Sequence, residues 1–444
     1  MIMRLLLFLM ALTFTTNCGS NLKTIDSSSY LSNPVNLEFL SGPNVMNISI
    51  NGSTCGNVLN SSSLNLTPTL NSLCASVTIC DTNASNCQKI SGIRIDTVHA
   101  GLRIFKSAIN SSTLTALTPV QVSSKNLAIL ENLSSTDILW GSIYQAKITL
   151  GGQTTPNLTT LQIIDNGTLS TGSDQSAAGS SLLTTLNSIT SPASNFTLIT
   201  APNDTYTYNG ILGIGPEQYR CINNASCLTD TNNNRYFACE TTNHTCTSTT
   251  ATYAQQLINP IMALSENNNG AIISLPSTAP GGSSSKNGYL ILGIDTQSNN
   301  TSTGMTAFSC SNYYSELTTS LQGTIFSSSR FQTLNNQNLI ASNIPASPNS
   351  PNYYMPYSVQ TLKGSILGTN SHLDFQIYIG NSLIIATNYQ NYATLSVFSE
   401  FAMYNNKSTG YDAIYGLPFF LGRNVFIGFE NSRSNLGSGK YYAF

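Results

Sequence analysis

Charge is what this sequence has least of. Asp, Glu, Lys and Arg make up 8% of its 444 residues, against roughly 25% in soluble domains. The 17 Lys and Arg are scattered and the formal net charge is −2. No basic stripe exists to neutralise phosphates, so nucleic acid is not an expected partner. No block of like charge marks an acidic or basic tail. Only three histidines are present. No metal-ligand spacing, phosphate loop or dinucleotide fingerprint occurs, so neither metal nor cofactor is expected. Stretches with a helical period are few, and past the N-terminus no apolar run is long enough to cross a bilayer as a helix. What is present is a series of short apolar runs rich in Thr and Tyr, broken by Asn, Gly and Ser. That pattern predicts an all-β protein. The length, with 40% hydrophobic residues, predicts more than one lobe.

The N-terminus reads as an export signal. Residues 1–4 are positively charged and residues 5–14 are apolar, a stretch shorter than the roughly 20 residues of a membrane span. After Thr15, Thr16 and Asn17 comes Cys18, as in a bacterial lipoprotein cleavage site, although Asn17 stands where a small residue is usual. Residues 1–18 are therefore expected to be a signal peptide with Cys18 as the lipidation site. Residues 19–38 are expected to be a flexible tether. Membrane contact is then expected only through the N-terminal lipid, at the bacterial cell envelope. The alternative is plain secretion, with Cys18 discarded.

Ten cysteines in an exported chain point to disulfides. Cys80 and Cys87 flank a turn. Cys55 and Cys74 lie on either side of a Ser- and Asn-rich insertion. Cys221, Cys227, Cys239 and Cys246 cluster, and spacing does not fix their connectivity; zinc is disfavoured by their loose gaps. Cys310 is the odd one. Asn-x-Ser/Thr triplets recur, but chance yields on the order of a dozen in so Asn-rich a chain, so they are not read as glycan sites.

Residues 45–50 and 75–79 alternate as strands do, and residues 53–73 read as a loop-like insertion. Residues 91–105 read as strand, sharp turn, strand, with Asp96 at the turn. Residues 140–152 read as a strand ending in a tight turn. Asn209-Gly210-Ile211-Leu212-Gly213-Ile214-Gly215 and the run from Gly288 to Asp295 place Gly between branched residues, as close backbone packing requires. Residues 255–264 read as a short helix joining the halves. Residues 417–429 form an apolar run ending in a buried strand.

In this order the motifs resemble those of pepsin-like aspartic proteases. They resemble more closely an uncharacterised family of exported bacterial proteins built on the same pattern. The matching pieces are Ile95-Asp96-Thr97 as the first catalytic-type turn, residues 141–152 as a hairpin, residues 209–215 and 290–295, the second catalytic-type turn in Gly323-Thr324-Ile325-Phe326-Ser327-Ser328-Ser329, and residues 417–429. The resemblance covers about residues 39–430. It implies a bilobal pepsin-like fold, two related β-barrel lobes with a cleft between them. The N-terminal lobe would span residues 39–265, with a Cys-rich insertion at 216–250, and the C-terminal lobe residues 266–444.

Such proteases need two carboxylates that share one proton, because like charges about 3 Å apart cannot both ionise. Here Asp96 and Thr97 remain, but Val98 stands at the position of the turn glycine, and a β-branched residue resists positive φ. Ser327 stands at the position of the second Asp. Asp96 without a partner is expected to titrate as an ordinary carboxylate. The resulting expectation is a non-catalytic binding or interaction lipoprotein. A peptide, glycan or envelope protein would sit in the cleft, with Tyr144, Tyr353, Tyr354 and Tyr357 as contributors. The alternatives are a residual peptidase using Asp96 with an unidentified second acid, and a structural component of the envelope. A serine-nucleophile triad is set aside: His99, His244 and His372 are the only histidines, and no Gly-x-Ser-x-Gly elbow occurs.

Overall fold

The computed structural model describes residues 40–56, 72–132, 137–165, 207–221, 226–231, 235–240, 245–276, 285–310 and 422–444. It also describes isolated residues and short strands between these stretches. The strands at 324–326, 361–367, 372–379, 382–390 and 413–415 are described by their backbone alone. The protein is mostly β, as composition predicted, and contains a closed six-stranded barrel.

The barrel closes through one circuit of pairings. Leu73–Cys80 runs antiparallel to Cys87–Asp96, which lies parallel to Gly210–Ile214. The latter runs antiparallel to Ala100–Phe105, which lies parallel to Thr159–Ile164. Asp137–Leu150 is antiparallel to Thr159–Ile164 and closes the circuit onto Leu73–Cys80. Branched residues fill the interior: Val77, Ile93, Ile95, Leu102, Ile148, Leu161 and Leu212 are all buried in one cluster. Each such burial contributes roughly 1.5–3 kcal/mol.

Cys87–Asp96 and Ala100–Phe105 are consecutive in the chain but are not neighbours. The glycine-rich strand Gly210–Ile214 is inserted between them and pairs with both. The connection through Thr97, Val98 and His99 therefore crosses the end of that strand. Side chains there would collide: a Cβ on Gly215 would sit 2.3 Å from the Val98 carbonyl oxygen, and one on Gly213 would sit 2.6 Å from that of His99. The glycines noted in the sequence are thus required by the crossing.

Beyond the barrel an antiparallel sheet continues from Leu73–Cys80 through Val45–Ile50, Lys286–Leu292, Gly270–Leu275, Arg423–Gly428, Tyr441–Ala443 and Ala307–Ser309. Strands from both sides of residue 265 pair in this sheet, and its apolar face is continuous with the barrel core. Further on, Thr324–Phe326 pairs in parallel with Ala413–Tyr415.

Among the described residues four disulfides are present: Cys55–Cys74, Cys80–Cys87, Cys221–Cys227 and Cys239–Cys246. The four-cysteine cluster is thus two local bridges. Cys310 is free and buried, and burial pushes its thiol up to about 12. The insertion at 53–73 is not wholly loop, since Val58–Leu59 pairs with Asn65–Leu66.

Residues 255–264 are not a helix. Pro260 lacks an N–H, and the segment is a run of turns with bonds such as Met262 N–H to the Asn259 carbonyl, 3.1 Å. Tertiary contacts hold it instead: the Asn259 side chain donates to the Gly215 carbonyl at 3.0 Å and accepts from the Ile261 N–H at 3.1 Å.

Gly141 offers a direct test of barrel closure, because a Cβ there would lie 1.9 Å from the Ile163 carbonyl oxygen. Gly141→Ala is expected to lower unfolding free energy by about 3 kcal/mol. Gly304→Ala, where φ is +84 but nothing lies within 4 Å, is expected to cost about 1 kcal/mol. Denaturation followed by the fluorescence of the buried Trp140 measures both.

Candidate functional site

The Asp96 turn is the structural centre of the site. Asp96 is buried at the end of its strand. Its Oδ1 accepts from the backbone N–H of Val98 at 2.8 Å and of His99 at 3.2 Å. Its Oδ2 lies 2.7 Å from His99 Nδ1. Val98 needs no positive φ here; the left-handed residue is Gly101, at φ +105, where Leu257 packs over the backbone. Valine is therefore compatible with this turn. The expectation that Asp96 titrates as an ordinary carboxylate is corrected. Burial opposes its charge, but the charge and hydrogen bond of His99, the charge of Arg94 and the Val98 N–H outweigh it, holding the carboxyl well below its usual range. Thr97 is buried, and its carbonyl accepts from the Tyr442 hydroxyl at 2.6 Å. The last strand of the chain thus rests on the turn.

A second acid stands nearby. Gly215 N–H donates to the His99 carbonyl at 2.9 Å, and Glu217 follows two residues on. Its side chain is 6% exposed and lies 3.9 Å from both Arg220 Nη1 and Lys440 Nζ. Burial is the largest influence on it and raises its pKa, despite those two cations. His99 and Glu430 are close enough to act on its charge. The sequence reading missed Glu217. The available signal was an acid directly after Gly-Ile-Gly-Pro in a chain with 19 acids in all.

Behind the turn, Glu131 gathers three arginines. Its Oε2 accepts from Arg103 Nη2 and Arg220 Nε, each at 2.7 Å. Its Oε1 accepts from Arg220 Nη2 at 2.5 Å and pairs with Arg235 Nη1 at 3.1 Å. Burial opposes the Glu131 charge, but the three guanidiniums outweigh it and hold its carboxyl well below the usual range. Arg103 also donates to the Gly101 carbonyl at 3.1 Å, so the cluster braces the far side of the Asp96 turn. Four of the chain's eight arginines, Arg94, Arg103, Arg220 and Arg235, are buried or nearly so around this region.

Other expected site residues are less informative. Cys18, Ser327, Tyr353, Tyr354, Tyr357 and His244 lie outside the described residues. His372 begins a strand described by its backbone alone. Tyr144 is partly buried and packs against the main core. Among the described residues no group of three or more His, Cys, Asp or Glu is placed to hold a metal ion. The Asp96 site is therefore a polar cluster made of one paired aspartate, one half-buried histidine and a buried acid between two cations.

The fold and site define a disulfide-bonded β-barrel protein whose central acid is locked into its own turn. A family model described as a protein of unknown function, DUF3443, matches residues 42–444, and the chain belongs to that family. No curated protein matches it.

Two outcomes test this geometry. Glu131→Gln leaves three buried guanidiniums around an uncharged partner and is expected to destabilise by about 3–5 kcal/mol, measured by urea denaturation. Asp96 is held below its unfolded pKa, so the stability it contributes is complete above that unfolded value, about 3.9, and is lost progressively as pH falls from there towards its lower folded-state pKa. The gap between wild type and Asp96→Asn is expected to be about 1–3 kcal/mol at pH 6 and to shrink towards pH 2.

Proposed function

We propose that the protein is an exported, non-catalytic binding protein on the aspartic-protease plan, carried at the bacterial envelope by a lipid on Cys18. The observation that carries this reading is the commitment of Asp96. Both its oxygens are engaged by Val98 and His99, and an ionised, imidazole-paired carboxylate is a poor member of a proton-sharing dyad.

The pepsin-like reading is supported by the closed barrel and by the crossing of the Asp96 turn over a glycine-rich strand. It is supported again in the second half of the chain. Thr324–Phe326 pairs in parallel with Ala413–Tyr415, as the strand ending in Asp96 pairs in parallel with Gly210–Gly213. Ser327 and Gly416 are the next residues in sequence. Eight cysteines are paired and Cys310 is buried, which supports assigning Cys18 to the anchor. The disulfides are consistent with an oxidising compartment. A peptide, glycan or envelope protein is the proposed partner, held between the two lobes.

A residual aspartic-type peptidase is the rival reading, and the protonatable Glu217 is the one observation in its favour. Among the described residues no hydrogen bond or ion pair joins Glu217 to Asp96; its ion pairs are with Arg220 and Lys440. The mature protein is expected to leave a mixed peptide library uncut from pH 3 to pH 7, as read by mass spectrometry. Cleavage blocked by a pepstatin-type inhibitor and abolished in Asp96→Asn would establish the rival.

A further inference from the structure

One disulfide stands apart from the other three. Among the described cysteines Cys87 alone is exposed; the remainder, Cys310 included, are buried. Cys80 lies directly opposite Cys87 in the adjacent antiparallel strand. Cys239 and Cys246 also stand opposite each other, but both are fully buried. A thiolate must reach a disulfide sulfur in order to attack it, so access separates these bridges. Cys80 is 6% exposed, so attack falls on Cys87 and Cys80 is the leaving thiol.

The same register continues across a third strand. Cys80 is also opposite Lys147, so Cys87, Cys80 and Lys147 form one row. Residues directly opposite share a face of a sheet, and Lys89, two positions from Cys87, shares it too. That face is the outer one, because Ile79 and Ile148, next to Cys80 and Lys147, lie in the core. Two lysines thus flank the bridge in a chain with 17 Lys and Arg. The acid beside them is Asp81, whose carboxylate is engaged in its own turn. It accepts from the Ser85 N–H and from Asn86 Nδ2, each at 2.7 Å. A nearby cation favours thiolate over thiol, and a more stable leaving thiolate speeds exchange.

The hairpin is also held without the bridge. Asp81 N–H donates to the Asn86 carbonyl and Ala84 N–H to the Asp81 carbonyl, each at 3.1 Å. The strand pairing then continues from Ile79 and Gln88 to Cys74 and Arg94. The two sulfurs therefore stay opposed when the bond between them is broken.

We propose that Cys80–Cys87 is a thiol–disulfide exchange site that accepts two electrons from a dithiol. One thiolate of the dithiol attacks Cys87 Sγ. The Cys80–Cys87 bond breaks, and Cys80 leaves as a thiolate and takes a proton from water. The second thiolate attacks the dithiol's own sulfur in the mixed disulfide. Cys87 is released as a thiolate and the dithiol leaves as a disulfide. A monothiol stalls after the first step, because Cys80, held opposite, expels it at high effective concentration. The site does not depend on the binding-protein reading.

The mature protein is incubated with dithiothreitol, or with glutathione at equal thiol concentration, then quenched with acid and alkylated. Peptide mass spectrometry reads each cysteine. Dithiothreitol is expected to expose Cys80 and Cys87 to labelling at least tenfold faster than the cysteines of the other three bridges, with Trp140 fluorescence unchanged. Glutathione is expected to open the bridge at least tenfold less. Lys147→Gln is expected to slow the opening at least threefold, and Lys125→Gln, on another strand, to change it less than twofold. Opening of another bridge before Cys80–Cys87, or together with it, would overturn the proposal. Loss of the Trp140 signal as Cys80 and Cys87 become labelled would overturn it as well. Equal opening by glutathione would overturn the dithiol assignment, and an unchanged rate in Lys147→Gln would overturn the part given to the lysine.

Discussion

The carboxylate of Asp96 is held by three hydrogen bonds, all from within three residues of its own position. The chain must cross the end of the glycine-rich strand in three residues between paired strands. A turn so short leaves backbone N–H groups pointing inward, and a buried carboxylate is a strong acceptor for them. Once Val98, His99 and the imidazole are bound, little acceptor capacity remains for a water or a partner acid. The turn that crosses the glycine-rich strand thus engages both oxygens of Asp96.

The rest of the charge distribution follows from that constraint. In a chain with few charged residues, several lie buried behind this one turn. Glu131 with its arginines braces Gly101 from one side, and Tyr442 bears on Thr97 from the other. A buried ion cluster is weak evidence for net stability. Its geometric effect is clearer: Arg220 joins the Glu131 cluster to Glu217, so the barrel and the last strand share one electrostatic frame. The turn is braced from both sides, and both oxygens of Asp96 are engaged within it.

Much of the fold was legible because it rests on local signals. Alternation placed the strands at 45–50 and 75–79, the glycine spacing in 209–215 marked close backbone packing, and cysteine proximity suggested pairs for Cys55–Cys74 and Cys80–Cys87. The part that was not legible depends on contacts distant in sequence. Residues 255–264 were expected to be a short helix joining the halves, but the bond from Asn259 to Gly215 and the missing N–H of Pro260 favour turns. The titration of Asp96 was misjudged because the effect of His99 depends on ring orientation, which spacing does not give. Glu217 was missed for a related reason. Its ion-pair partners are Lys440, more than two hundred residues away, and Arg220, which is itself held by Glu131.

The titration of the Asp96 side chain, followed by carbon-detected NMR of its carboxyl group, bears most directly on the central claim. The account predicts a single step well below the ordinary carboxylate range, with the His99 ring responding to the same transition. A carboxyl that gains its proton near pH 4 or above, or that titrates in two coupled steps with another acid, would contradict it.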